Sequence, residues 1–455
     1  MDTIVTSVWQ KSKLLVKCLM IGALILLLLI PEYFVTGLIH EREQRQKEAI
    51  AEVSSKWAGR QIITGPVIVL PFWQTQGDTS LQRIRTKHYA YFLPDELKIQ
   101  SSVTPHEKYR GIYKIMLYNS KIRLSGTFNE ILPQQLNIAP QDIIWEESFV
   151  KLHISDSKGL NDEIKVQWGD RSLPLVPKSM GDRSSNDALS SPLNATSVAD
   201  LKNISFSVEL NLNGSEQLLF TPVGRVTTVN VTSTWPHPSF TGNILPQTST
   251  INSNGFEASW KSLSHNRHYP QQWKDDEYSF TDIFPYPRSD SDYSTELRNT
   301  TVTSGAFGTD IFVPVNSYQK IMRSIKYAIL CILLTFAAFF IIETVNKKSV
   351  HPFQYALIGA ALILFYTLLL SFSEYTGFNI AYILASVATV GLIAWFVKGI
   401  LQSSKLTLIL SIVLVLMYSY VFTILQLQDY SLILGSIGLF LTLAVIMHFS
   451  KKIQW

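Results

Sequence analysis

The residues FQYALIGAALILFYTLLLSF (353–372) form an unbroken apolar run that contains no charge. As a helix rising 1.5 Å per residue, such a run crosses the ~30 Å hydrocarbon core of a bilayer. A single run of this kind also suits a buried helix of a soluble protein. Here Tyr327–Ile342 precedes it, and Ile380–Val397, Leu406–Leu425 and Tyr430–Phe449 follow it, with short connections throughout. Five in series predict a membrane bundle over residues 321–455.

A sixth apolar stretch, Leu14–Ile30, lies near the start behind Lys11 and Lys13, with Lys17 inside it. Basic residues before an apolar run also describe a secretory signal, but no small-x-small cleavage pattern follows. The chain continues as PEYFVTGLI (31–39), apolar except for Glu32. The expectation is an uncleaved anchor within residues 1–39, with Pro31 inside it. Leu38–Trp57 then reads as a helical stalk. Glu41/Arg45, Glu43/Lys47 and Glu52/Lys56 are i,i+4 pairs in the favourable order, and Ala49, Val53 and Trp57 form a narrow apolar stripe.

The chain has 455 residues and a formal net charge of +4. Residues 40–320 carry 28 basic and 30 acidic side chains, so the excess positive charge belongs to the helix ends. A near-neutral domain has no electrostatic footprint for nucleic acid. Basic residues at short loops stay on the cytoplasmic side. Lys11, Lys13 and Lys17, then Lys347/Lys348, Lys398/Lys405 and Lys451/Lys452, mark one side. The loops SEYTGFN (373–379) and Gln428–Tyr430 hold no Lys or Arg. Both termini are therefore expected in the cytoplasm, and residues 40–320 outside. Cys18 and Cys331 both fall in apolar runs, so the large domain has no disulfide and no thiolate metal site.

From Gly65 the period of the apolar residues becomes two. In KIRLSGTF (121–128) Ile122, Leu124 and Phe128 alternate with polar residues. In SFSVELNLNG (205–214) Phe206, Val208, Leu210 and Leu212 do the same, and Asn213-Gly214 closes the run as a hairpin turn. TTVNVTSTW (227–235) continues the alternation to Trp235, expected to anchor the core. GPVIVLPF (65–72), HYAYFL (88–93) and RGIYKIMLY (110–118) are further strand candidates. The prediction is a mostly antiparallel β domain, closed as a sandwich of packed sheets. Ser179–Asn203, rich in Ser, Asn and Asp, reads as a surface loop, and Phe280–Pro314 as irregular.

Sites for chemistry are scarce. His265 and His268 have the spacing of two ligands on one helical turn, but no Cys or HExxH glutamate accompanies them. Asp275-Asp276-Glu277 reads as a solvated turn. Nucleophile-elbow and phosphate-loop motifs are absent. No catalytic, metal or cofactor-binding residue is assigned. In the bundle Glu343, Glu374 and Asp429 fall at helix ends or in loops, which leaves Glu32, next to Pro31, as the one candidate for an immersed carboxylate, against the plainer reading of a place at the outer interface. Small-xxx-small pairs such as Ala356/Ala360 read as helix packing.

Specific strings carry a resemblance. LIHEREQRQKEAIAEVSSKWAGRQIITGPVIVLPF (38–72), KYRGIYKIMLYNSKIRLSGTF (108–128), STWPHPSFTGNILP (233–246), GFEASW (255–260), KYAILCILLTFAAFFIIE (326–343) and HPFQYALIGAALILFYTLLLSFSE (351–374) resemble the CreD family of inner-membrane proteins, the cell envelope integrity proteins of Gram-negative bacteria. The resemblance covers nearly the whole chain. It implies a multi-pass inner-membrane location with a periplasmic domain and expression under a sensor-kinase/response-regulator pair. It also implies a role in envelope integrity and in tolerance to agents such as colicins. The family has no established enzymatic activity or ligand, so no catalytic residues are carried over.

Within WPHPSF, Pro236 and Pro238 lack N–H donors and end the strand through Trp235 in a rigid corner. Trp235, His237 and Phe240 are the candidate contact site, against the plainer reading of a structural corner. In HPFQY, Pro352 suits the first turn of a helix, with His351 as a local cap. The expected function is support of the envelope through periplasmic contacts. Membrane lipid and a protein partner in the periplasm or inner membrane are the expected neighbours, with no cofactor and no nucleic acid. The alternatives are an insertase or chaperone of the YidC-type plan, which shares the order of anchor, β domain and bundle, and an envelope enzyme with an unrecognised periplasmic site.

Overall fold

The computed structural model describes residues 2–76, 84–177, 188–280, 301–311, 317–346, 350–427 and 433–438, with isolated positions 440, 444 and 447 beyond. The chain divides into two compact units. One comprises residues 1–49, 111–113 and 315–455, and the other residues 50–110 and 114–314.

Anchor and stalk prove to be one helix, α1 (Asp2–Trp57), with Pro31 inside it. The three i,i+4 pairs form, at 2.6 Å for Glu41/Arg45, 3.4 Å for Glu43/Lys47 and 2.7 Å for Glu52/Lys56. The helical unit continues with α2 (Ser317–Ile325), α3 (Ala328–Val345), α4 (Pro352–Thr376), α5 (Phe378–Leu401) and α6 (Ser404–Gln426). Four helices among the described residues are long and apolar enough to cross a membrane: α1, α4, α5 and α6. The expected Tyr327–Ile342 span corresponds to α2 and α3, which meet at a 43° bend and make a fifth if taken together. The expected Tyr430–Phe449 span lies largely outside the described residues. The count of six is not reached among those described.

Why α4 begins where it does is local chemistry. Pro352 occupies the first turn, the Phe353 N–H donates to His351 Nδ1 (3.2 Å), and the His351 N–H donates to Gln354 Oε1 (3.0 Å). The expected cap is there. The bundle's core is built from Phe336, Phe339, Tyr355, Phe365, Tyr382 and Tyr418, whose rings meet edge-on or tilted. Such pairs add about 0.5–1.5 kcal/mol each beyond the area they bury.

The second unit is β-rich, as the alternation predicts. Its strands are β1 (Gln61–Gln76), β2 (Ile84–Phe92), β3 (Glu96–Arg110), β4 (Tyr113–Phe128), β5 (Phe149–Ile154), β6 (Lys165–Trp168), β7 (Arg171–Pro174) and β8 (Val176–Pro177). They continue as β9 (Ala188–Pro192), β10 (Ile204–Phe220), β11 (Val226–Ser233), β12 (Ser239–Gly242), β13 (Thr248–Asn252), β14 (Gly255–Leu263), β15 (Gln272–Lys274) and β16 (Phe307–Ile311). The hydrogen-bonded path runs β13-β14-β11-β3-β4-β10-β1-β5-β9-β8. Pairing is mostly antiparallel, with β1/β10 and β3/β11 parallel. The strands fall into two groups, one around β1, β2, β5 and β16 and one around β3, β4, β11 and β14, joined into one hydrogen-bonded path because β10 is long enough to serve β4 and β6 with its first part and β1 and β16 with its last.

That length corrects the hairpin expected at Asn213-Gly214. β10 runs straight through both residues, paired with Asn119 and Tyr118 of β4. Gly214 is a close-approach glycine: a Cβ there would lie 2.3 Å from Tyr118 Oη. Two loop expectations also change. Within Ser179–Asn203, β9 is buried through Ala188–Ser191 and pairs with β5, while Leu193, Ala195 and Leu201 join the core. Within Phe280–Pro314, β16 pairs with β10 and β12. A few apolar residues in polar surroundings suffice when the neighbouring strands supply the partners. The core centres on large aromatic residues. Trp168, Phe128 and Phe206 form a triad of rings, with Phe128 5.4 Å from each of the others and Trp168 6.4 Å from Phe206, and Tyr91 stacks on Trp273 at 5.5 Å.

Candidate functional site

β11 ends at Ser233, and the Trp235 N–H donates to Ser233 Oγ (3.1 Å). The indole Nε1–H donates to the carbonyl of His237 at 2.8 Å, and the His237 ring stands edge-on to the indole at 6.0 Å. Trp235 therefore closes the Pro236–Pro238 turn from outside. It packs half-buried on the rim of the core and does not anchor it, a correction to the expectation. The strand that should have delivered it inward has already ended, so its side chain is spent on the turn. Phe240 makes the inward link, with its ring edge-on to Phe256 (5.8 Å) and Trp260 (5.5 Å). His237 is exposed. The three predicted residues thus share one corner, with His237 exposed and Trp235 and Phe240 half-buried.

β12, which leaves this corner, pairs Ser239 with Asp310 of β16. The carboxylate of Asp310 accepts from Gln217 Nε2 at 2.8 Å. Burial raises its pKa above the usual carboxylate range; the Gln217 hydrogen bond opposes this, nearby Glu216 adds to it, and Ser239 opposes it.

A larger feature escaped the sequence reading. The outward side chains of β3, β4, β10, β11 and β14 floor a cleft of about 830 Å³, walled on one side by Asp162–Ile164. Lys121 and Arg123 of β4 stand beside their cross-strand partners Asn211 and Glu209 of β10 on its floor, with Arg123 Nε 3.5 Å from Glu209 Oε1. An amide network sets one rim. Asn119 Nδ2 donates to the side-chain oxygens of Asn211 (2.8 Å) and Asn213 (3.0 Å), and Asn211 Nδ2 donates to Asp162 Oδ2 (2.9 Å). Both charge signs and several amide donors and acceptors line the cleft, without an aromatic platform. Such a surface suits a polar partner that makes many hydrogen bonds. The signal was present as the polar half of the strand alternation, which by itself describes any solvated sheet face.

Among the described residues, His265 and His268 gather no ligand set. His268 Nε2 lies 3.1 Å from the carbonyl of Thr301 and 3.1 Å from Ser304 Oγ, while His265 is exposed on a short 3-10 turn. Asp275 pairs with His88 (2.8 Å) and accepts from the Tyr89 N–H (3.1 Å).

The helical unit is less quiet than its sequence. Glu343, in the last turn of α3, is buried. Its Oε1 pairs with the Lys17 ammonium of α1 and accepts the Val350 N–H at 2.7 Å, while Oε2 accepts the Tyr355 hydroxyl at 2.8 Å. Lys17 also donates to the carbonyl of Val350 at 3.3 Å. A second carboxylate, Glu374 in the last turn of α4, lies 3.8 Å from Arg42 Nε of α1 and accepts the Tyr318 hydroxyl at 3.1 Å. Lys17 and Arg42 are 25 helical residues apart, about 37 Å of rise, slightly more than the ~30 Å of a hydrocarbon core. The two pairs lie where the interfaces would be. Glu32, the carboxylate that sequence singled out, is only half-buried.

One long N-terminal helix, a large mixed β domain and a bundle of apolar helices define a multi-pass membrane protein with its main folded domain inserted after the first helix. The family model described as inner membrane protein CreD matches residues 13–455. A protein of Escherichia coli, inner membrane protein CreD, is 28% identical over 449 residues, covering 98% of this chain and 94% of that one. This chain belongs to the CreD family. Among solved structures, an M1 zinc metallopeptidase of Deinococcus radiodurans is 12% identical with a TM-score of 0.20, over 37% of this chain and 39% of that one. A likeness that weak, over well under half of that structure's length, carries no argument about fold or activity.

Proposed function

We propose that this inner-membrane protein supports the integrity and stress tolerance of the cell envelope through contacts made by its β domain in the periplasm, without catalysis of its own. The observation that carries the reading is the polar cleft. It offers Lys121, Arg123, Glu209, Asn211 and Glu257 on one sheet face with Asp162 at its wall, a surface of both charge signs and amides. Family membership supports the envelope setting. The lysines at alternate loops support cytoplasmic termini, with residues of about 40–320 on the periplasmic side. The cleft takes a protein partner of the periplasm or inner membrane, and the bundle takes membrane lipid.

Replacing Lys121, Arg123 and Glu209 together by Ala tests this. All three side chains point outward, so surface substitution should leave folding and membrane abundance unchanged. The expected result is loss of tolerance to detergent and colicin challenge in cells that carry the variant as their only copy. Wild-type tolerance at wild-type abundance would overturn the role of the cleft. A photo-crosslinker placed at Asn230, on its floor, should capture a discrete adduct in the wild-type background and none with the triple variant.

A further inference from the structure

Between Asp310 and Glu343 the chain carries three basic residues, Lys320, Arg323 and Lys326, and no acidic one. They lie on and just beyond α2. That helix buries Tyr318, Ile321 and Ile325 in the bundle core and leaves Arg323 exposed, with Lys326 exposed immediately after it. Lys320 sits with its ammonium 5.3 Å from the centre of the Phe378 ring, at the start of α5. No ion pair among the described residues involves any of the three. Glu374, a carboxylate at this end of the bundle, is already engaged by Arg42 and Tyr318.

Depth fixes what these cations face. The apolar α3 begins at Ala328, two residues beyond Lys326, and α2 departs from its axis by 43°. With α3 as the span, the amphipathic α2 bends away from it into the interface, its polar side among headgroups. Tyr375, strongly exposed at the end of α4 next to Glu374, marks the same level as an interfacial aromatic residue. Basic residues on the non-cytoplasmic flank of a span run against the usual bias. Charge complementarity names the occupant.

We infer that α2 is an interfacial lipid-binding helix, whose Arg323 and Lys326, with Lys320 behind them, hold the phosphate of an anionic phospholipid headgroup. The Arg323 guanidinium supplies a planar fork for two phosphate oxygens and Lys326 a compact point charge. The inference rests on the bundle being embedded in a membrane and is independent of the cleft.

The test uses the full-length protein in nanodiscs of phosphatidylcholine, with and without phosphatidylglycerol, reading the thermal midpoint and the lipid that co-purifies by mass spectrometry. Phosphatidylglycerol should raise the midpoint of the wild-type protein and remain bound, and high salt should erase both effects. In Arg323→Gln/Lys326→Gln the affinity for phosphatidylglycerol should fall about 25-fold, taking roughly five-fold per cation near an anionic surface. The midpoint in pure phosphatidylcholine should not change, because both side chains are exposed. Exchanging the two as Arg323→Lys/Lys326→Arg should keep the response and guards against a misfolded variant. Lys398→Gln/Lys405→Gln, at the other end of the bundle, should also keep it. Three results would overturn the inference: no response in the wild-type protein, an equal response in Arg323→Gln/Lys326→Gln, or the same stabilisation by inorganic phosphate in phosphatidylcholine alone.

Discussion

The hydroxyl of Tyr355 donates to Oε2 of Glu343 at 2.8 Å, and with Lys17 and the Val350 N–H it leaves this buried carboxylate fully engaged. Three separate stretches meet there: the start of α1, the end of α3 and the turn into α4. A charge taken out of water is tolerated only with a partner and with its remaining lone pairs satisfied. The cluster therefore specifies one way of packing α1 on the bundle.

Removing half of it should be costly. Glu343→Ala leaves Lys17 uncompensated and two donors without an acceptor, a loss of about 3–5 kcal/mol for a broken buried pair. The midpoint of the detergent-solubilised protein should drop strongly. Lys17→Met/Glu343→Leu should recover most of it, since apolar replacement of both charges removes the desolvation cost along with the attraction. A double variant as unstable as Glu343→Ala would show that the pairing with Lys17 is not what Glu343 contributes.

Orientation is checked by cysteine accessibility. Tyr375 is strongly exposed at the end of α4, and Ser404 is exposed at the start of α6. In intact spheroplasts Tyr375→Cys should react with an impermeant maleimide, and Ser404→Cys only after permeabilisation. The reverse pattern would invert the topology.

Two tryptophans near one another should differ in weight. Trp260 is wholly buried between Phe240 and Phe307, whereas Trp235 closes the corner from the rim. Trp260→Ala should cost about 3–5 kcal/mol, and Trp235→Ala distinctly less, about 1–2 kcal/mol, within the ordinary range of single substitutions. His237→Ala should leave the midpoint where it is. Equal losses for the two tryptophans would restore Trp235 to the core.

Asp310 should make stability depend on pH. With its pKa raised in the folded protein, the native state retains a proton that the unfolded chain releases from about pH 3.9 upward. Stability should therefore fall as pH rises through the window between the unfolded and folded values, then level off. Asp310→Asn keeps a partner for Gln217 and removes the charge. The variant should have a higher midpoint than wild type at neutral pH, with the difference shrinking in acid. A lower midpoint at neutral pH would mean that the carboxylate is needed in its charged form.

What could be read directly from the order of residues was whatever depends on local periodicity and length. The charge-free run at 353–372 predicts a membrane helix, and α4 is a helix long and apolar enough to cross one. The two-residue alternation at 121–128 and 205–212 predicts strands, and β4 and β10 are those strands. His351-Pro352 marks a helix start because capping involves only neighbours in the chain. Family strings in 38–72 and 351–374 carried the class of protein. Asn213-Gly214 misled because a glycine that permits a turn also permits close packing, and only Tyr118, nearly a hundred positions away in the chain, decides which. β9 was hidden because its polar serines become buried only once β5 pairs with it. Glu343 and Glu374 looked like ordinary helix-end charges, since a sequence carries no sign that Lys17 and Arg42 come to meet them. The cleft likewise needed five strands side by side before its polar side chains shared one surface. Periodicity follows from the geometry of the local backbone and is written in consecutive residues. Partnership across the fold depends on distances that only the tertiary structure decides.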